Sequence, residues 1–157
     1  MVAPARRSVV ARWLRRAARL PFREQITMLR VLVVVAVVEL LIRWVPLPRL
    51  SRLLRVRLDL TSSSSGAPVL QVGDLPTAAR RSLRGTARVT RHWPFCSGPC
   101  LRSALVGAHL VRKLDPAVRI GVAGVGGGLR AHAWIEIDSR PIESVTAFVP
   151  FQRQASA

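Results

Sequence analysis

Tyrosine is absent from the 157 residues, and the remaining aromatic residues are four tryptophans and four phenylalanines. Proteins that bind single-stranded nucleic acid stack bases on aromatic side chains, so this scarcity argues against a nucleic-acid partner. Acidic residues are also few, eight against 25 basic ones, and the formal charge is +17. That charge by itself predicts attraction to an acidic partner, which could be a peptide, a membrane surface or nucleic acid.

Cysteine is equally scarce. Cys96 and Cys100 have a C-x3-C spacing, which is not the C-x-x-C of redox motifs, and no secretory signal is recognisable. Such usage predicts a reducing, cytoplasmic location. His92 and His109 lie at spacings that match no zinc pattern, so we expect neither a metal nor another cofactor.

The sequence has no long uncharged apolar run. The longest in the N-terminal part covers residues 31–38, between Arg30 and Glu39, whereas a spanning helix needs about 20 mostly apolar residues. Glu39 and Arg43 are spaced as an i, i+4 helix pair. The segment therefore predicts a buried helix over residues 23–45 rather than a membrane span.

Composition divides the chain into three parts. Residues 1–60 form a basic helical arm, residues 61–73 a Ser-rich linker, and residues 74–157 the core. The arm is predicted to contain helices over 5–20, 23–45 and 49–60, and the core to open with a helix over 76–91 capped by Asp74. The first of these is a solvated or membrane-surface helix, or a transit peptide, since no acid precedes Glu24.

Cys100 opens a second core helix. Pro99 suits the first helical position, and Gly98 or Ser97 would be the N-cap. The positive end of the helix dipole favours a thiolate there, and the free N–H groups of the first turn can stabilise an oxyanion. The helix ends at Asp115-Pro116, and its buried face is predicted to consist of Leu101, Ala104, Leu105, Ala108 and Val111.

A β-hairpin follows. Residues 118–122 alternate as a strand, residues 124–128 are a Gly-rich loop, and residues 129–137 form the return strand. Alternation places His132 on the face that also bears Arg130, Trp134 and Glu136, with Ala131, Ala133, Ile135 and Ile137 on the other face. A strand fixes side-chain direction, so His132 can be aimed at the start of the Cys100 helix. Cysteine, histidine and the acids Asp138 and Glu143 then follow in the order of a nucleophilic site.

The segments PCLRSAL, RIGVAG and AHAWIEI resemble the transglutaminase-like fold. More closely, residues 77–150 resemble the leader peptidase of lasso-peptide biosynthesis, the protease half of the split B-type proteins. In that family a cysteine at a helix start is followed by a histidine in an AHAW-type strand; here Cys100 and His132 lie 32 residues apart. The resemblance implies an α+β fold, with the helical arm before a papain- or transglutaminase-like core whose Cys helix packs on a small antiparallel sheet.

The third catalytic residue departs from the family pattern. The family has an aspartate on the strand after the AHAW strand, and this position is Ser144 here, directly after Glu143. Asp138 belongs to the predicted turn Asp138-Ser139-Arg140. The sequence therefore favours Glu143 as the acid that orients His132 and keeps Asp138 as the alternative.

The resemblance also implies a function and partners. The function would be proteolytic removal of the leader from a ribosomally made lasso-peptide precursor. The partners would be the precursor's leader, a separate leader-binding protein and an ATP-using cyclase. Independently of the resemblance, the charge and amphipathicity of the basic arm predict contact with a membrane surface. Two other functions stay open: an acyltransferase of the same fold, or a non-catalytic membrane-surface or scaffold protein in which Cys100 is a buried thiol.

Overall fold

The fold is mixed α+β, as predicted. The computed structural model describes residues 21–60, 68–93, 99–125, 128–143 and 149–150. Within these ranges the helices are α1 (Phe22–Leu41), α2 (Leu47–Leu53), α3 (Thr77–Arg91) and α4 (Pro99–Leu110). The strands are β1 (Arg57–Asp59), β2 (Ala117–Val125), β3 (Gly128–Ile137), β4 (Arg140–Pro141) and β5 (Val149–Pro150).

The sheet is built on the predicted hairpin of β2 and β3, which pair antiparallel from Ala117↔Glu136 to Val125↔Gly128. β4 pairs antiparallel with β3. On the other side of β2, the short strands β1 and β5 share one edge, β1 running parallel to β2 and β5 antiparallel. The sheet is therefore mostly antiparallel, and β1 is its parallel exception.

The Cys100 helix packs on one face of this sheet. Ala133, Ile135 and Ile137 of β3 belong to the hydrophobic core, as alternation predicted. On α4 the buried residues include Ala104, Leu105 and Ala108 of the predicted face. A Cβ at Gly107 would lie 2.7 Å from Cδ1 of Ile135, so glycine permits the close approach of helix and strand.

Helix α1 is buried along one side, which confirms the prediction of a buried helix. Val31, Val35 and Val38 are nearly inaccessible and share the core with α4. Glu39 is itself buried, and its Oε2 forms an ion pair with Nε of Arg102 on α4 at 2.6 Å. No helix within the described ranges is long and apolar enough to cross a membrane. The arm boundary at residue 60 stays a prediction.

Several predicted helix boundaries are wrong. The helix predicted over 23–45 ends at Leu41, and the Cys100 helix ends at Leu110 rather than at Asp115-Pro116, because a 3-10 turn over Arg112–Leu114 follows it. The helix predicted over 49–60 ends at Leu53, because Arg55 takes a left-handed conformation with φ 53° and the following residues alternate as a strand. Asp74 does not cap α3, since it lies in a 3-10 turn and the helix begins at Thr77 after Pro76, without a side-chain cap.

The other sequence predictions fall partly on described residues. Leu70, inside the predicted linker, is buried and donates its N–H to the carbonyl of Pro141 at 2.8 Å. The helix predicted over 5–20 and the Ser-rich part of the linker, residues 61–67, lie outside the described residues.

Candidate active site

Cys100 occupies the first turn of α4, which begins at Pro99 as predicted. Its thiol is free and half-buried. The first turn of a helix leaves backbone N–H groups without partners inside the helix, so the position can stabilise negative charge on a sulfur or an oxygen. The predicted cap residues Ser97 and Gly98, and Cys96, lie outside the described residues.

His132 lies on β3 opposite Gly121 of β2. Its ring stacks on that of Trp134, two residues along the same face, with centroids 6.3 Å apart and planes 17° from parallel. Trp134 is only 1% exposed, so it offers the imidazole a fixed surface. The strand and the stack together restrict the orientation of the ring.

The structure places one of the two candidate acids beside the histidine. Oε1 of Glu143 lies 3.4 Å from Nε2 of His132. Asp138 is exposed in the turn between β3 and β4, where Ile137 pairs with Arg140 and Asp138 has φ 51°. Asp138 is therefore a turn residue in this fold, and of the two candidate acids Glu143 is the one that lies beside the imidazole.

Cys100, His132 and Glu143 line the same cavity, whose volume is about 670 Å³. Apolar side chains supply much of the wall, with Arg84 and Arg91 of α3 also present. The apolar lining residues are Val72, Leu83, Ala87, Ala104, Ala133, Trp134, Ile135 and Ile142. A cavity of this kind can hold an extended peptide segment with an apolar side chain next to the thiol.

A buried polar network behind His132 was missed by the sequence reasoning. Nε1 of Trp134 donates to Oε1 of Glu136 at 3.0 Å, and Nε of Arg119 donates to Oε2 of the same carboxylate at 2.7 Å. Nη1 of Arg119 also contacts Oδ1 of Asp59 at 3.2 Å. The network joins β1, β2 and β3 beneath the aromatic ring on which His132 stacks.

The hydroxyls of the cavity wall were also missed. Ser103, one turn after Cys100, donates its hydroxyl to Oγ1 of Thr90 at 2.8 Å, and both residues line the cavity. The i+3 spacing from Cys100 to Ser103 could have indicated this, because it places both side chains on the same side of the helix. The bond ties α4 to α3 at the cavity.

The two histidines outside the site bind backbone carbonyls. Nδ1 of His92 contacts the carbonyl of Arg88 at 3.0 Å, and Nδ1 of His109 contacts that of Leu54 at 2.8 Å. Across the residues that the structure describes, no three His, Cys, Asp or Glu side chains are grouped so as to hold a metal ion.

The fold and this cavity define a class of cysteine enzyme, in which a thiol at a helix start and a histidine on an adjoining sheet line one cleft. A family model described as the transglutaminase-like superfamily matches residues 37–153, more than half of the chain. The protein therefore belongs to the transglutaminase-like superfamily, and the membership indicates a hydrolase or transferase that uses a cysteine. No curated protein and no solved structure matches the chain.

Proposed function

We propose that the protein is a cysteine peptidase that removes the leader from a ribosomally synthesised lasso-peptide precursor. The observation that carries the proposal is the joint placement of Cys100, His132 and Glu143 at one cavity. The sequence resemblance supplies the substrate class. The test is to incubate the full chain with a lasso precursor and its leader-binding protein and to weigh the products, with cleavage at the leader–core junction as the expected result.

The mechanism assigns one role to each residue. The carboxylate of Glu143, whose Oε1 lies 3.4 Å from Nε2 of His132, would orient the imidazole and stabilise the imidazolium, and Nδ1 would then take the proton from Cys100. The thiolate attacks the carbonyl carbon at the junction, and N–H groups of the first turn of α4 stabilise the oxyanion. The imidazolium protonates the leaving amine, so the core peptide departs and the leader remains as a thioester.

Water completes the reaction. His132 takes a proton from a water molecule, the hydroxide adds to the thioester carbonyl, and the sulfur leaves and regains its proton from the imidazolium. The leader departs with a new carboxylate. An amine that replaces this water would give acyl transfer by the same residues, and the mass of the leader product distinguishes the two.

The proposed partners follow from the proposed substrate. A separate leader-binding protein would present the precursor, and a cyclase that uses ATP would close the ring after cleavage. The new amino terminus of the core is the group that cleavage supplies to that cyclase.

Replacing Glu143 with glutamine is expected to lower kcat/KM on the order of 100-fold, because the amide no longer stabilises the imidazolium or fixes its tautomer. The matched control is Asp138→Asn, which is expected to change kcat/KM by less than about twofold, since Asp138 lies in the exposed turn. Initial rates with a short leader–core peptide measure both. The reverse order of effects would make Asp138 the third residue.

The exposed side of α1 supports a further proposal, that the protein contacts an anionic membrane surface. Six large apolar residues are exposed along it, and exposed Trp44 follows in the turn after its end: Phe22, Ile26, Leu29, Val33, Val37 and Leu40 lie on the helix itself. Within α1 these residues form pairs 11 residues apart, and an 11-residue repeat keeps a stripe on one side of a straight helix: Phe22 with Val33, Ile26 with Val37, and Leu29 with Leu40. Arg30 on α1 and Arg43 in the turn after it are exposed, and basic residues beside an apolar stripe are typical of interfacial helices.

Co-sedimentation with vesicles tests this contact. A Leu29→Ser/Leu40→Ser variant is expected to bind vesicles with a third anionic lipid about tenfold more weakly than wild type, because two large apolar groups no longer enter the interface. The control Val69→Ser/Ala78→Ser changes two exposed positions outside α1. Equal binding by both variants would remove the membrane contact from the account, and a dimer seen by size exclusion that only the first variant breaks would assign the stripe to a second copy.

A further inference from the structure

A row of arginines runs along α3. Five of its 15 residues are arginines, and successive members are mostly three or four residues apart: Arg80, Arg81, Arg84, Arg88 and Arg91. Side chains at these spacings lie on neighbouring positions of one helix surface. From Arg80 to Arg91 the helix rises about 16 Å at 1.5 Å per residue.

The arginine row lines two cavities, and Arg84 belongs to the wall of both. Arg80, Arg81, Arg84 and Arg88 line a groove of about 330 Å³ between α1 and α3. Arg84 also lines the cavity that contains Cys100, and Arg91 lines that cavity too. The arginines therefore lead from the groove to the candidate active site along one helix.

The arginine row by itself lowers the stability of α3. Like charges at i, i+3 and i, i+4 destabilise a helix, and the row contains several such pairs. No ion pair to any of the five arginines occurs within the described part of the chain, whereas Arg43, Arg57, Arg102 and Arg119 each contact a carboxylate. Glu24 is the one acid that lines the groove. Within the described residues, the positive charge in the groove is thus mostly uncompensated.

We propose that the arginine row binds acidic side chains of the peptide substrate, beyond the residue that enters the apolar cavity beside Cys100. An extended peptide advances about 3.3 Å per residue, so the row is matched by about five residues. Arginine binds carboxylates with two parallel hydrogen bonds, which suits it to acidic peptides. The role of this peptide as a substrate rests on the proposed function, whereas the binding of an acidic peptide to the arginine row does not depend on it.

Peptide binding is measured on the full chain carrying Cys100→Ala, so that no turnover intervenes. The probe is a fluorescent peptide with a leucine followed by four glutamates, and its twin carries four glutamines. In fluorescence anisotropy at physiological salt, the glutamate peptide is expected to bind at least about tenfold more tightly than its twin, a difference that one or two charge-assisted contacts supply.

A pair of variants with equal net charge locates the site. Arg80→Gln/Arg84→Gln/Arg88→Gln is expected to weaken binding of the glutamate peptide about tenfold or more, and Arg49→Gln/Arg52→Gln/Arg140→Gln less than about twofold. All six side chains except Arg80, which is half-buried, are exposed, so both proteins are expected to fold. An equal loss in both variants would overturn the proposal, because the net charge of the chain would then be the cause.

Two other outcomes would also overturn it. If the glutamine twin binds as tightly as the glutamate peptide, the arginine row does not recognise carboxylates. A single-stranded oligonucleotide of equal charge that displaces the peptide at lower concentration, through the same three arginines, would assign the row to nucleic acid. If the Cys100→Ala chain binds the glutamate peptide but wild type cleaves no precursor, the peptidase proposal is refuted and the acidic-peptide site stands. If wild type cleaves the precursor and the triple variant leaves KM unchanged, the peptidase proposal stands and the acidic-peptide site is refuted.

Discussion

Replacing Cys100 with alanine is expected to lower the rate of leader removal by at least about a thousandfold, to the level set by binding and the oxyanion donors alone. The reason is that the thiolate is the only group in the mechanism that bonds to the substrate. Cys100 is half-buried and its thiol is free, so loss of the sulfur is expected to cost the fold about 1 kcal/mol or less. Initial rates with precursor and leader-binding protein measure the change.

The other cysteine provides the matched control. Cys96→Ala removes a thiol four residues earlier in the sequence and is expected to leave the rate within about twofold of wild type. Circular dichroism of both variants shows that the fold is kept. If Cys100→Ala cleaves as fast as wild type, the catalytic account fails, and the non-catalytic alternative takes its place.

Replacing Arg119 with leucine is expected to lower the free energy of unfolding by about 3–5 kcal/mol, because it leaves the carboxylate of Glu136 buried without its cation. The side chains of Arg119 and Glu136 are only 5% and 1% exposed, so solvent cannot substitute for the lost partner. Urea unfolding measures the change. The double variant Arg119→Leu/Glu136→Leu is expected to recover part of the loss, since the carboxylate of Glu136 is then no longer buried without its cation.

An exposed ion pair is the control for this effect. Arg57 and Asp115 are 3.3 Å apart, with side chains 65% and 79% exposed. Arg57→Leu is therefore expected to cost less than about 1 kcal/mol. If Arg119→Leu is no more destabilising than Arg57→Leu, the network beneath Trp134 does not stabilise the sheet. The inference that this network holds the ring on which His132 stacks would then also be wrong.

The local parts of the site were predictable from the sequence because they rest on local rules. Pro99 and the apolar spacing after Cys100 predict the start and the buried face of α4. Alternation in β3 places Ala133, Ile135 and Ile137 in the core and His132 on the opposite side. The interval between Cys100 and His132 carried the family resemblance.

The rest depends on pairing between distant segments. β1 forms because residues Arg57–Asp59 pair in parallel with β2, which is distant in sequence. No local pattern in these residues distinguishes such a strand from a continued amphipathic helix. The Arg119–Glu136 pair depends on the register that sets Arg119 opposite Trp134. Glu143 and Asp138 are both close to His132 in sequence, so sequence distance does not decide between them. The turn between β3 and β4 decides which of the two lies beside the imidazole.

The most direct measurement of the central claim is the mass of the leader fragment after cleavage in heavy-oxygen water. The account predicts that wild type releases a leader whose new carboxylate carries one heavy oxygen from solvent, and a core with a free amino terminus, while Cys100→Ala releases neither. A leader joined to an amine would make the protein a transferase. Intact precursor with wild type, under conditions where its leader-binding protein holds the leader, would contradict the peptidase account.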